Sequence, residues 1–184
     1  MQKQNLYSVL LAVLLILAAA LSRVIMYPHN FSPMIGMAVF AGAVIKDRKL
    51  AFALPIFSMF LSDLIFEVFH IAPGFWGWGQ LANYGIFALI TIIAFTLKRI
   101  SVVRVAGYAV FSSLLFFVLS NLSVFLLDNQ VYHLYPNTFD GLIKCYAAGL
   151  PFLRISLAAD LVYSGVLFGA YYLINTYAFK KAAA

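Results

Sequence analysis

Six polar residues stand where an apolar chain has least reason to place them: Arg23, Asn30, Asp63, Asn121, Arg154 and Asp160. An ionisable group within a membrane span costs about 2.5–3.5 kcal/mol on insertion scales, and such groups pair, face a bundle interior or line a site. An arginine fork suits a carboxylate or a phosphate. Arg23 or Arg154 is therefore suited to hold an anionic group of a ligand. Asp63 and Glu67 lie four residues apart and so share a helix face. Two such carboxylates could bind a cation or share a proton; alternatively Asp63 pairs with Arg23 while Glu67 meets interfacial water. Arg154 and Asp160 are six apart, poorly placed to pair along one helix, so each is expected to reach another element. Arg23–Asp63 and Arg154–Asp160 are candidate pairs, and the swapped pairs are equally allowed. Asn121 interrupts an otherwise apolar run; it either joins helices by hydrogen bonds or touches a ligand.

Other residues carry weaker signals. His29, His70 and His133 are scattered without metal-ligand spacing, so no metal or cofactor is expected. Cys145 is the single cysteine, which excludes an intrachain disulfide and a cysteine-rich metal site. No Ser-His-Asp spacing, His-Glu-x-x-His or phosphate loop occurs, so no catalytic residue is assigned. Ser8 with Ala12, and Ala38 with Gly42, form small-xxx-small pairs. These either pack the bundle or dock another membrane subunit.

The elements that position these residues follow from composition. The chain has 184 residues, 65% hydrophobic and 10% charged, with a mean hydropathy of +0.98. Soluble domains carry about 25% charged residues, so this is an all-α polytopic membrane protein with a single transmembrane domain. Six spans are expected, at about 6–26, 34–45, 50–66, 81–97, 105–127 and 155–177. The second is too short to cross the bilayer core unless the preceding loop dips inward. Residues 128–150 read as a long polar segment with a short helix at 139–148, and Pro151 as the start of the last span. With both termini inside, the cytoplasmic side holds nine basic residues, among them Lys46, Arg48, Lys49, Lys98, Arg99 and Arg104. The other side keeps three, Arg23, Lys144 and Arg154. That bias sets the orientation, and it explains the net charge of +6 without nucleic acid. The unexplained polar residues then gather at the outer side.

The order of these features resembles a family of uncharacterised small bacterial membrane proteins. Its pattern is met here by Arg23, Pro28-His29-Asn30-Phe31-Ser32-Pro33, Ala41-Gly42, Ser62-Asp63, Ser120-Asn121, Gly141-Leu142, Cys145-Tyr146, Pro151-Phe152 and Asp160. In topology and size the chain also resembles the S components, the substrate-binding subunits of energy-coupling factor transporters. That resemblance implies a protein of the bacterial cytoplasmic membrane that binds a vitamin-like molecule in a pocket open to the outer side. It also implies a partner membrane subunit and an ATPase that energise uptake. The Ala-x-x-x-Ala docking motif common in the first span of S components is met only by Ser8-x-x-x-Ala12. The rival readings are a membrane enzyme using Asp63, Glu67 or Asp160 as acid or base, and a structural subunit.

Overall fold

The computed structural model describes residues 6–25 and 30–179, which are helical with short connections and no strands. The helices are α1 (Leu6–Ile25), α2 (Met34–Val44), α3 (Arg48–Val68), α4 (Trp78–Ala94), α5 (Val102–Ser123), α6 (Asn129–Tyr132) and α7 (Phe139–Ile174). A π-turn over Val124–Asp128 joins α5 to α6, and another over Asn175–Phe179 follows α7. Four stretches are long and apolar enough to cross a membrane: Leu6–Val24, Arg48–Val68, Val102–Tyr132 and Phe139–Tyr177. Met34–Val44 and Trp78–Ala94 are apolar but shorter. By length and composition of its helices this is a membrane-like architecture. His29 and Pro28, together with Lys3, Lys180 and Lys181 of the charge argument, lie outside the described residues.

Local chemistry sets the boundaries. The Asp47 carboxylate accepts from the N–H groups of Lys49 and Leu50 at 2.9 and 3.0 Å and starts α3. Ser101 and Thr138 accept from the N–H groups of Arg104 and Gly141 and start α5 and α7. Such caps satisfy amide groups that a helix start leaves without partners. They move α5 to Val102, earlier than the expected 105. α4 also begins early and ends early. Its last turn tightens into bonds such as Leu97 N–H to Ala94 O at 3.0 Å, so 95–97 leave the helix.

The largest departure concerns the C-terminal third. The expected separate helix at 139–148 and span at 155–177 are one 36-residue helix, with Pro151 inside it. At 1.5 Å per residue α7 is about 54 Å long, well beyond a bilayer core of about 30 Å. Proline removes one N–H donor and crowds the preceding turn, but membrane helices tolerate this where neighbours meet the freed groups.

α2 is the centre of the bundle. Nearly every residue from Met34 to Val44 is buried, as expected of a helix apolar all round. Phe40 meets Phe168 and Tyr171 of α7 edge-on, at ring separations of 5.1 and 5.6 Å. Gly42 lets α2 approach α4: a Cβ there would lie 2.5 Å from the Thr91 carbonyl oxygen and 2.7 Å from the Ala94 Cβ. Ala38 and Ala12 are likewise fully buried. Both small-residue pairs therefore contribute to packing within the chain. Ser8 also donates to Asn175 Oδ1 at 2.6 Å, which fixes the start of α1 beside the end of α7.

Gly42→Val should destabilise the protein by about 1–3 kcal/mol through overpacking, read as a lower midpoint in thermal unfolding in detergent. Gly85→Ala, where an added Cβ meets nothing within 4 Å, should leave the midpoint within error. Equal effects at the two sites would contradict this packing.

Candidate functional site

Asp63, near the end of α3, is wholly buried, and its carboxylate collects three partners. Arg23 Nη1, from the last turn of α1, approaches Oδ1 at 2.5 Å and also donates to Ser62 Oγ at 2.5 Å. Gln80 Nε2 and the Tyr84 hydroxyl, both on α4, donate to Oδ2 at 2.9 and 2.7 Å. The guanidinium lies 4.7 Å from the centroid of the Phe66 ring. The ends of α1 and α3 and the start of α4 are thereby joined through one carboxylate. Gln80 extends the network, donating to the Gly74 carbonyl at 2.5 Å and accepting from the Trp76 N–H at 3.2 Å. Glu67 accepts from the Gly74 N–H at 2.9 Å. The Asp63–Glu67 pair is thus divided: Asp63 serves Arg23 and α4, while Glu67 holds the α3–α4 connection.

Beside this junction lies a cavity of about 440 Å³. Every long helix contributes to its wall. α1 presents Arg23, α2 its first residues Met34 and Ile35, and α3 Met59 and Phe66. α4 presents Phe87, α5 Phe116, Phe117 and Asn121, and α7 Gly149 and Asp160. Pro73 and Trp76 of the α3–α4 connection complete it. A wall that mixes aromatic rings with polar side chains, at this volume, suits a small-molecule site. The cavity lies at the end of the bundle opposite the connections that carry Lys46, Arg48, Lys49, Lys98 and Arg99.

Four of the six residues singled out by the sequence line this cavity: Arg23, Asn30, Asn121 and Asp160. Asp63 stands behind Arg23 and orients it. Arg154 does not line the cavity; it is exposed on α7. The pairing of Arg154 with Asp160 is not formed. Asp160, 2% exposed, is instead 2.5 Å from Ser113 Oγ on α5. Because α7 is continuous through Pro151, Arg154 sits mid-helix on a face turned away from Asp160. Asn121 donates to the Phe117 carbonyl at 2.8 Å and its side chain packs on Gly149, where a Cβ would collide with it. Its backbone carbonyl accepts from Cys145 Sγ at 3.5 Å. Asn121 thus joins α5 to α7 and also faces the cavity.

His70 and His133 serve the backbone. Asn30, His70 and His133 are the non-glycine residues of positive φ among those described, at 63°, 53° and 50°. Asn and His are enriched in this left-handed region, and His70 and His133 turn the chain after α3 and α6. Among the described residues no cluster of His, Cys, Asp or Glu is arranged to hold a metal ion.

Asp128 has a part that the sequence did not announce. It lines the cavity, and its carboxylate lies against Gly79 in the first turn of α4, where an added Cβ would collide with Oδ2. A carboxylate favours this end of a helix. In the sequence Asp128 reads only as the edge of a polar loop; the π-turn over Val124–Asp128 brings it inward. Gln80 and Tyr84 were equally unmarked, lying 17 and 21 positions from Asp63 with no periodic relation to it.

The family model that matches this chain is described as a family of unknown function (DUF6580) and spans residues 3–182. The chain belongs to that family. No curated protein and no solved structure matches it.

The junction predicts strong coupling. Arg23→Met should cost about 3–5 kcal/mol of stability by leaving a buried carboxylate without its cation. Combined with Asp63→Asn, the total should fall short of the sum of the single losses by about 1–3 kcal/mol. Thermal unfolding of the four proteins in one detergent measures this, and additive losses would contradict the pairing.

Proposed function

We propose that this member of a family of unknown function is a membrane-embedded protein that binds a small molecule in the cavity beside the Arg23–Asp63 junction. The observation that supports this most is the cavity itself, at about 440 Å³, bounded by all the long helices and lined by both aromatic and polar side chains. A bundle held together only for its own stability gains nothing from such a space, since unfilled volume forfeits packing contacts.

The finer reading is a six-span bundle with both termini in the cytoplasm, in the bacterial cytoplasmic membrane. It rests on the basic turns at 46–49 and 98–104, which by the positive-inside rule belong in the cytoplasm. The cavity, at the opposite end, then opens outward. This arrangement is what an S component of an energy-coupling factor transporter requires. The protein would capture a vitamin-like molecule outside and release it with the help of a separate membrane subunit and an ATPase. Pro33, Trp76 and the connection before α7 would cover the bound molecule.

Mass spectrometry of small molecules released from gently purified protein tests the binding reading. One compound should be present near stoichiometric amount in the natural protein. Ser120→Phe, which puts a ring into the cavity wall, should lose it while remaining monodisperse. Equal retention by the filled variant would contradict the assignment of the cavity as the site.

A further inference from the structure

We infer that the molecule held in this cavity is an organic cation with an aromatic or apolar body; the inference rests on the binding reading above. Three charged side chains line the cavity: Arg23, Asp128 and Asp160. Arg23 is already neutralised, because Asp63 pairs with it from behind at 2.5 Å. The two carboxyls have only neutral neighbours among the described residues, the Gly79 backbone for Asp128 and the Ser113 hydroxyl for Asp160. Among the described residues the ion pairs are Arg23–Asp63 and Lys144–Asp140, so neither cavity carboxylate has a cation beside it. Arg154 is outside the cavity.

The sign of the site follows from this balance. An anionic ligand would meet two carboxylates and a guanidinium whose charge is already matched. A neutral ligand would seal the two carboxyls from water without a counter-charge, so that they either bear the cost of a buried charge or take up protons. A cation supplies what is missing. The start of α2 also faces the cavity through Met34 and Ile35, but a helix N-terminus contributes only about half a positive charge and faces two carboxyl groups. The rest of the wall fits the same ligand. The rings of Phe31, Phe66, Trp76, Phe87, Phe116 and Phe117 line the cavity, and aromatic faces attract ammonium groups. A bare metal ion is a poor fit, since hard cations take six or more oxygen ligands and this wall is mainly carbon. The oxygen pair and the rings together call for an ammonium or a delocalised organic cation, with Asp160, the more buried of the two acids, among its contacts.

The two tryptophans of the chain make the test direct. Trp78 is 72% exposed, so Trp78→Phe leaves Trp76 in the cavity wall as the sole indole reporter. The protein in nanodiscs is titrated with a size series of aromatic quaternary ammonium ions, beginning with trimethyl(2-phenylethyl)ammonium. The neutral 2-phenylethanol and the anionic 3-phenylpropionate serve as comparators. At least one ammonium should change Trp76 emission saturably, and the comparators should not at the same concentrations. Asp160→Asn should weaken that binding about 10- to 100-fold, the cost of losing one charge-assisted contact. Asp128→Asn, a milder change at a less buried position, should weaken it in the same direction and guards against misfolding of the first variant. Binding of 3-phenylpropionate or 2-phenylethanol as tight as that of any ammonium would overturn the charge assignment while leaving a small-molecule site in place. Ammonium affinity unchanged in both variants would overturn it as well. No saturable response to any probe of any charge would count against this inference and the binding reading together.

Discussion

The Asp63 carboxylate is the constraint on which this end of the molecule depends. An ionised group with no exposed surface is tolerated only where its charge is paired and its lone pairs are filled. Asp63 meets that demand with a guanidinium, an amide and a phenol drawn from two other helices. The positions of α1 and α4 relative to α3 follow. So does the course of the α3–α4 connection, because Gln80 holds the Gly74 carbonyl and the Trp76 N–H while it serves Asp63. Trp76 and Pro73 are thereby carried to the edge of the cavity.

The cavity itself owes its existence to the shortness of α2. Eleven residues give about 16 Å of helix, roughly half the apolar depth of a bilayer. α2 fills the centre of the bundle up to Met34 and no further, and the taller helices around it enclose the space beyond. Asp128 and Asp160 reach that space from two sides. Asp128 arrives through the π-turn that ends α5, a type of irregularity often found at functional sites. Asp160 arrives from α7, directly across from Ser113.

The helical membrane class and most helix positions were legible in composition and in apolar run length. So was the departure of α2 from a full span. The Arg23–Asp63 pair was legible only as one of several allowed pairings, since charge complementarity alone does not choose between partners. Pro151 misled: proline in a chain reads as a boundary, yet here the helix passes through it. That error placed Arg154 at a helix start facing a ligand, whereas it stands mid-helix on an exposed face. The roles of Gln80, Tyr84 and Asp128 were not legible, because each depends on how separate helices meet rather than on any local spacing. The scattered histidines gave no ligand spacing in the sequence, and the backbone uses His70 and His133 as left-handed turn residues.

Thiol accessibility decides whether the cavity is, as proposed, a water-reachable chamber on the side of the membrane opposite the basic turns. Cys145 is the single cysteine, so Cys145→Ala provides a silent background. Ser156→Cys places a thiol in the cavity wall, and Ile100→Cys places one on the α4–α5 connection, at a position 53% exposed. Intact spheroplasts are treated with a membrane-impermeant maleimide before and after permeabilisation. The account predicts that Ser156→Cys is labelled in intact spheroplasts and Ile100→Cys only after permeabilisation. Labelling of Ile100→Cys from outside, with Ser156→Cys protected until the membrane is opened, would contradict it.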